Sequence, residues 1–494
     1  MEVALSLCFI PVSTLLLALW FLEVFISRGK RKQLWPPGPW TLPIIGSLHH
    51  VISSLPHRKI TELCRRHGPL MFLKLGEVPV VVVSDAEMAE MVLKTNDPQF
   101  ASRPGSVIRD IATNGGKGIA FAPYGDRWRQ MRKICILELL SSKQVKRMEG
   151  IRADEMGNLL RFIKASGGTI NITEKVAALA NDLVTRAVFG GKFTWQNEYL
   201  QELRKILEVM SGFCLVDMFP SWRLLRWLSN SERLVKRRSQ RIQGMVADIV
   251  HNRKAACHST GNEDLLDVLL KLQEEDSLTF PLTTEIIASV LLDLFGGATD
   301  TTSSILVWAM SELVIHPQAM SKAQLEVRQV LGKDRGIISN ADLAELHYMR
   351  LVIKETLRLH PPGPLLARIA RGDCKIMGYD ILEGTNVFIN IFAVSRDPKY
   401  WNNPEEFNPE RFKNNNLDYN GKHFQFIPFG SGQRQCPGIQ FTSSVLEVIL
   451  ANFLYHFDWM LPDGDSMSSI DMSEKFGLSV GRKYDLKLKA IPHV

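Results

Sequence analysis

The chain has 494 residues, of which 45% are hydrophobic and 22% charged, with a formal net charge of +7. This composition provides for a substantial core and excludes a disordered or fibrous chain. The charge is modest for the length. With no recognition-helix motif and no dense basic clusters interleaved with aromatics, it gives no sign of a nucleic-acid partner.

The first feature in chain order is an uncharged run from Val3 to Leu22, continued past Glu23 by Val24, Phe25 and Ile26. As a helix it spans roughly 30 Å, the thickness of a bilayer's hydrocarbon core. Arg28, Lys30, Arg31 and Lys32 follow, whereas only Glu2 precedes the run. The positive-inside rule therefore leaves the rest of the chain in the cytosol. A cleaved secretory signal would need basic residues before the run and a small-residue cleavage site after it, and it has neither. Residues 1–27 read as one retained transmembrane helix, and 28–45 as a basic and proline-rich linker stiffened by Pro36, Pro37, Pro39 and Pro43. The sequon Asn171-Ile172-Thr173 should then stay unglycosylated.

Residues 46–494 read as one domain. Leu70 to Leu75 and Val78 to Val83 predict a β-hairpin, and Ser84 with Glu87 a capping box that starts a helix. From Asp126 to about Leu331 the pattern is mostly helical. Its longest helix begins near Thr284, after Pro281, and runs to about Ile315, before Pro317. Strand-like segments return at Lys375 to Ile391, a loop-rich stretch covers Arg396 to Cys436, and another long helix runs from Gln440 to about Tyr455. The fold class is mainly α with small β-sheets (α+β). Seven cysteines (Cys8, Cys64, Cys135, Cys214, Cys257, Cys374 and Cys436) without C-x-x-C spacing argue against a disulfide framework or a zinc site, and for a reducing compartment.

Four segments carry chemistry. Trp128 and Arg132, spaced i, i+4, share one helix face and can converge on one carboxylate. Gly296 and Gly297 each weaken the long helix by roughly 1 kcal/mol relative to alanine. Thr301 can bond back to the Gly297 carbonyl, so a bend with room beside the helix is expected there. Glu355 and Arg358, at i, i+3, predict an ion pair. Cys436 is flanked by Gly432 and Gly438 and followed at once by a helix. Backbone N–H groups and a positive helix end are therefore available to a thiolate, and Arg434 can pair with an acidic group.

The run Phe429 to Gly438 matches Phe-x-x-Gly-x-Arg-x-Cys-x-Gly at every fixed position, and so resembles the cytochromes P-450. Its Pro-Phe-Gly-Ser-Gly lead-in and Cys-Pro-Gly ending look like the plant microsomal A-type branch. The Trp128–Arg132 and Glu355–Arg358 segments occur in the family's order, as does Phe407-Asn408-Pro409-Glu410-Arg411-Phe412. Gln433 and Ala367 stand where relatives commonly carry arginine and proline, and Gly297-Ala298 reverses the usual order.

The resemblance implies the cytochrome P-450 fold, with a long central helix over haem b. Cys436 would be the axial ligand to the iron, with Phe429 and Gly438 around it. Trp128, Arg132, Arg368 and Arg434 would hold the haem, and Glu355, Arg358 and Arg411 would form a structural triad. Asp300 and Thr301 would deliver protons to iron-bound oxygen. The pocket would be lined by Ile108, Ile111, Leu294, Gly297, Ala298, Leu365, Leu366, Ile369, Phe476 and Leu478. No flavin or nicotinamide fingerprint occurs, so electrons from NADPH would arrive through a separate cytochrome P-450 reductase, docked with help from Arg129, Arg132 and Lys133. The implied function is O2-dependent hydroxylation of an apolar small molecule, a terpenoid in plant specialised metabolism, at the endoplasmic reticulum membrane. Two alternatives are a haem-thiolate isomerase or dehydratase acting on peroxides, and a non-catalytic haem-binding protein. Neither needs the Asp300–Thr301 pair.

Overall fold

The computed structural model describes residues 33–210, 213–255, 264–275, 278–462 and 470–493. The expected anchor, residues 1–27, and the basic start of the linker lie outside the described residues. Among the described residues, no helix is long and apolar enough to cross a membrane.

Strands β1 (Leu70–Leu75) and β2 (Val78–Val83) pair antiparallel as expected, with Leu75 opposite Val78. Val80 to Val83 are completely buried, which suits a β-branched run packed on both faces. Asp85, not Ser84, caps the following helix, its carboxylate accepting the Met88 N–H at 2.7 Å. Ser84 faces the Pro69 carbonyl instead and Glu87 binds Lys399, so the expected capping box does not form. Helix α1 (Asp126–Cys135) carries Trp128 and Arg132, and α2 (Ile172–Phe189) is capped by Asn171. The Asn171 Nδ2 also donates to Asp485 at 2.8 Å, so the sequon's amide is already engaged.

Helix α3 spans Thr284–Ile315, with the Thr283 hydroxyl accepting the Ile286 N–H. It continues as helix through Gly296 and Gly297, the place where a bend with room beside the helix is expected. Most of α3 is buried, and it packs against α2, α4 (His347–Leu359) and α5 (Ile439–His456). Strand β3 (Leu365–Ile369) lies where the prolines at 361, 362 and 364 suggest a loop. It becomes a strand by pairing antiparallel with β4 (Asn386–Asn390), which in turn runs parallel to β2. The sheet order is β1-β2-β4-β3.

The C-terminal hairpin, Glu474–Lys475 against Gly481–Arg482, is latched to the N-terminal half. The Glu474 carboxylate binds Arg58 Nε at 2.6 Å and His57 Nε2 at 3.1 Å. Burial opposes its ionisation, but the hydrogen bonds from His57 and Arg58 prevail and hold its pKa near about 2. A depressed carboxylate pKa contributes stability that is complete above the unfolded value and lost as pH falls through the folded one. Acidification from pH 4.5 towards about 2 should therefore loosen this latch. Glu474→Gln should flatten that part of the stability curve in chemical denaturation.

Candidate active site

Cys436 closes a loop held by its own backbone. Its N–H donates to the Phe429 carbonyl at 2.9 Å, and the Gly438 N–H donates to its Sγ at 3.4 Å. Gly438 caps α5, so the helix's positive end lies beside the sulfur. Burial nevertheless raises the thiol's pKa, with the Gly438 N–H and Arg132 only partly opposing it. A thiol held in this way is not a free nucleophile, and a cation would be needed to complete its charge. Among the described residues, no group of three or more His, Cys, Asp or Glu could hold a metal. A porphyrin brings four ligands of its own to a metal, and would ask only one of Cys436.

The loop's shape depends on Gly432, whose φ is +71°. A Cβ there would overlap the Leu93 carbonyl and the Asp97 carboxylate, and Asp97 accepts the Gln433 N–H at 2.7 Å. Gly432→Ala should cost about 2 kcal/mol or more through strain and lost loop bonds. Its signature would be a lower haem-to-protein absorbance ratio in the purified variant.

Four guanidinium groups converge beside this loop: Arg132 from α1, Arg368 from β3, Arg434, and Arg103. Burial lowers the pKa of all four, and mutual repulsion adds to it in all but Arg132, Arg368 and Arg434 both falling to about 9. Arg103 is lowered by burial and by Arg368, Arg109 and Arg132, and Arg132 chiefly by burial. The facing carboxylates are Asp97, near Arg368 and Arg434, and Asp293, near Arg103 and Arg434. Four positive charges against two negative ones leave an excess matching the two propionates of haem, and the buried Arg368 Nε has no hydrogen-bond partner among the described residues. The residues present fit that group. Arg103 was not singled out from the sequence, because no local spacing ties it to the other three.

Trp128 contributes its ring as well as its position. The Arg434 guanidinium lies 4.0 Å from the ring centroid and that of Arg132 5.4 Å away. The indole N–H donates to the Ile119 carbonyl at 2.9 Å rather than standing free for a carboxylate. Arg132 donates to the Gln435 carbonyl, which turns it inward and away from a docking surface; Arg129 and Lys133 remain exposed.

The distal helix is uncovered in its middle. Gly297 and Asp300 are exposed between buried stretches of α3, and a Cβ on Gly297 would meet no heavy atom within 4 Å. Gly296 faces the other way, towards Leu207. The Thr301 hydroxyl donates to the Gly297 carbonyl, the back-bond expected from their spacing. Asp300 accepts a hydrogen bond from Ser479 in the C-terminal hairpin. The hairpin and the acid–alcohol pair thus share one space, and Ser304 ties to Val480 one turn further on.

Of the expected pocket residues, Ile111, Ala298, Leu365, Leu366, Ile369 and Phe476 are half-buried and Leu478 is exposed. Leu366 abuts the cysteine loop, its Cδ1 3.2 Å from where a Gly430 Cβ would lie. Ile108 has no exposed surface and Leu294 very little, and both pack within the apolar core. Their apolar character could not distinguish these two environments.

The structural triad is assembled as expected. Glu355 and Arg358 are both fully buried. The Glu355 Oε1 accepts Arg358 Nη2 and Arg411 Nε, each at 2.8 Å, and the Asn408 N–H at 2.9 Å. Arg358 also donates to the carbonyls of Ser395, Pro404 and Glu406. These bonds fasten α4 to the segment that leads into the cysteine loop.

Comparison with known proteins agrees with this geometry. The family model for cytochrome P450 matches residues 36–487. The chain is 43% identical over 477 residues to 5-epiaristolochene 1,3-dihydroxylase from Nicotiana tabacum, covering 94% of each chain. It is 42% identical over 475 residues to premnaspirodiene oxygenase from Hyoscyamus muticus, again covering 94% of each. With germacrene A hydroxylase from Tanacetum parthenium it shares 43% over 474 residues, covering 95% of this chain and 96% of the relative. The distal groove, the lone cysteine and the cation cluster thus occur together in a chain that belongs to the cytochrome P450 family and is a haem monooxygenase.

Proposed function

We propose that this protein hydroxylates a terpenoid hydrocarbon at the cytosolic face of the endoplasmic reticulum membrane. Its cofactor is haem b with Cys436 thiolate as axial ligand, and its electrons come from NADPH through a separate cytochrome P450 reductase. The observation that carries this reading is the uncovered segment of α3, where Gly297, Asp300 and Thr301 open onto a space edged by half-buried apolar side chains. Bound haem supplies oxygen activation and one-electron chemistry. The chain's own residues shape the rest. Thr301, its hydroxyl proton committed to the Gly297 carbonyl, keeps its lone pairs for a water. The adjacent Asp300 carboxylate, held by Ser479, can take up a proton from solvent and pass it to that water. Leu366, Ile369 and Phe476 offer no charge to the substrate, which suits a hydrocarbon.

Membrane attachment is supported by two features. One is the uncharged run from Val3 to Leu22. The other is an apolar surface: Trp222, Leu224, Trp227 and Leu228 are exposed on and beside the short helix Arg223–Leu228, and Trp40 and Leu42 are exposed in the linker. The two regions approach one another at the β1–β2 turn, where Glu77 binds the Met218 carbonyl and Gly76 that of Ile45. Arg129 and Lys133 on α1 are exposed and available to an acidic reductase face.

The reading is tested by reconstituting the protein with a plant cytochrome P450 reductase and NADPH in vesicles, and screening sesquiterpene and triterpene hydrocarbons. A hydroxylated product that requires NADPH supports it. Turnover of a peroxide without NADPH would favour the isomerase reading instead. In the same system Thr301→Val should lower product formation on the order of 100-fold. NADPH oxidation should continue, with hydrogen peroxide released, and equal loss of both would count against a proton-delivery role.

A further inference from the structure

Asp293 lies two helical turns before Asp300 on α3, yet it faces the cation cluster rather than the groove. Its Oδ2 accepts the N–H groups of Ile119 at 2.6 Å and Ala120 at 2.9 Å. Gly118 permits this approach, because a Cβ there would overlap the carboxylate. The Ala120 N–H and the Ile119 carbonyl belong to one peptide group. On its far side that carbonyl accepts the Trp128 indole at 2.9 Å and Arg434 Nη1 at 3.3 Å. The next carbonyl, of Ala120, accepts Arg103 Nε at 3.0 Å, and that of Ala122 accepts Arg434. A carboxylate on the N–H side of a peptide polarises its carbonyl, strengthening the bonds made there. Nothing in proton delivery or in substrate lining uses this residue. Lys117 bound to Glu285 at 2.7 Å and Ser289 facing the Thr113 carbonyl fasten the same loop to the same helix, but neither brings a negative charge to the arginines.

We propose that Asp293 is a positioning residue that, through the 119–120 peptide, sets Trp128, Arg434 and Arg103 in place and fixes the net charge of the cluster facing the haem carboxylates. It anchors the loop as a strut and acts on the haem as a fixed negative charge. The second role separates it from an ordinary loop anchor. Loss of that charge favours the reduced, more negative haem, and loss of the strut loosens the cluster's hold on the cofactor. The proposal rests on the haem assignment above.

The test uses the full-length holoprotein in vesicles at mildly alkaline pH, above the value of about 6 at Asp293 and below that of about 9 at Arg368 and Arg434. The wild type must first show the red-shifted carbon monoxide band of a thiolate-ligated haem; its absence would sink the haem-thiolate reading and leave this comparison without an object. Given that band, Asp293→Asn should shift the ferric/ferrous midpoint positive and release haem to apomyoglobin on the order of 10-fold faster. Asp293→Glu, which keeps the charge, should return the midpoint to the wild-type value. A wild-type midpoint in D293N, or a D293E midpoint equal to that of D293N, would overturn the proposal. If D293N holds no haem, D293E decides: restored haem with a wild-type midpoint supports the charge role, and failure to restore it overturns that role.

Discussion

Cys436→Ser is expected to remove the red-shifted carbon monoxide band entirely and to lower product formation at least about 1000-fold, equivalent to about 4 kcal/mol of activation free energy. Serine has nearly the shape of cysteine, and the bonds that hold the loop run through backbone: Cys436 N–H to Phe429, Gln435 N–H to Gly432, Gly438 N–H towards the side chain. The fold should therefore survive. What is lost is the anion. Burial already pushes the cysteine thiol up, so its ionisation depends on a bound cation. A hydroxyl, far less acidic than a thiol, would stay neutral in the same place and give up little charge to a metal. Absorbance of the reduced carbon monoxide complex and product analysis check this together. A serine variant with an unchanged band would refute Cys436 as the ligand.

Glu355→Ala is expected to destabilise the protein by about 3–5 kcal/mol, because it strands two buried or nearly buried guanidinium groups. Arg358 has no exposed surface, and its remaining acceptors are neutral carbonyls. Chemical denaturation and haem content should fall together, since the triad fastens the segment before the cysteine loop to α4. Arg358→Lys should be nearly as damaging. One ammonium cannot replace a fork that donates to Glu355 twice and to three carbonyls at once. Stability within about 1 kcal/mol of wild type in either variant would mean that the triad does not hold the loop.

Helix α3 and the β1–β2 hairpin were legible because their signals are local. Proline at 281 and 317 brackets one, and strict apolar runs around Gly76-Glu77 make the other. The same holds for the Thr301 back-bond and the Glu355–Arg358 pair, in which helical pitch alone brings the groups together. Strand β3 was not legible. Its residues follow three prolines, and they become extended because β4 offers a ladder from across the chain. The burial of the pocket candidates was not legible for a related reason: Ile108 and Ile111 are the same amino acid three positions apart, and only packing puts one in the core and the other at its edge.

The amino-acid sequence by itself determined the reaction class and the course of the long helix and supplied Cys436, Asp300 and Thr301 as candidates, because each rests on covalent identity and on spacings within one or two helical turns. Only the tertiary structure decided that Arg103 joins the cation cluster, that Asp293 accepts the N–H groups of Ile119 and Ala120, and that Ser479 holds Asp300. Those contacts join residues far apart in the chain. Backbone carbonyls and amides, which carry most of them, are identical at every position, so no pattern of side chains announces where they will meet.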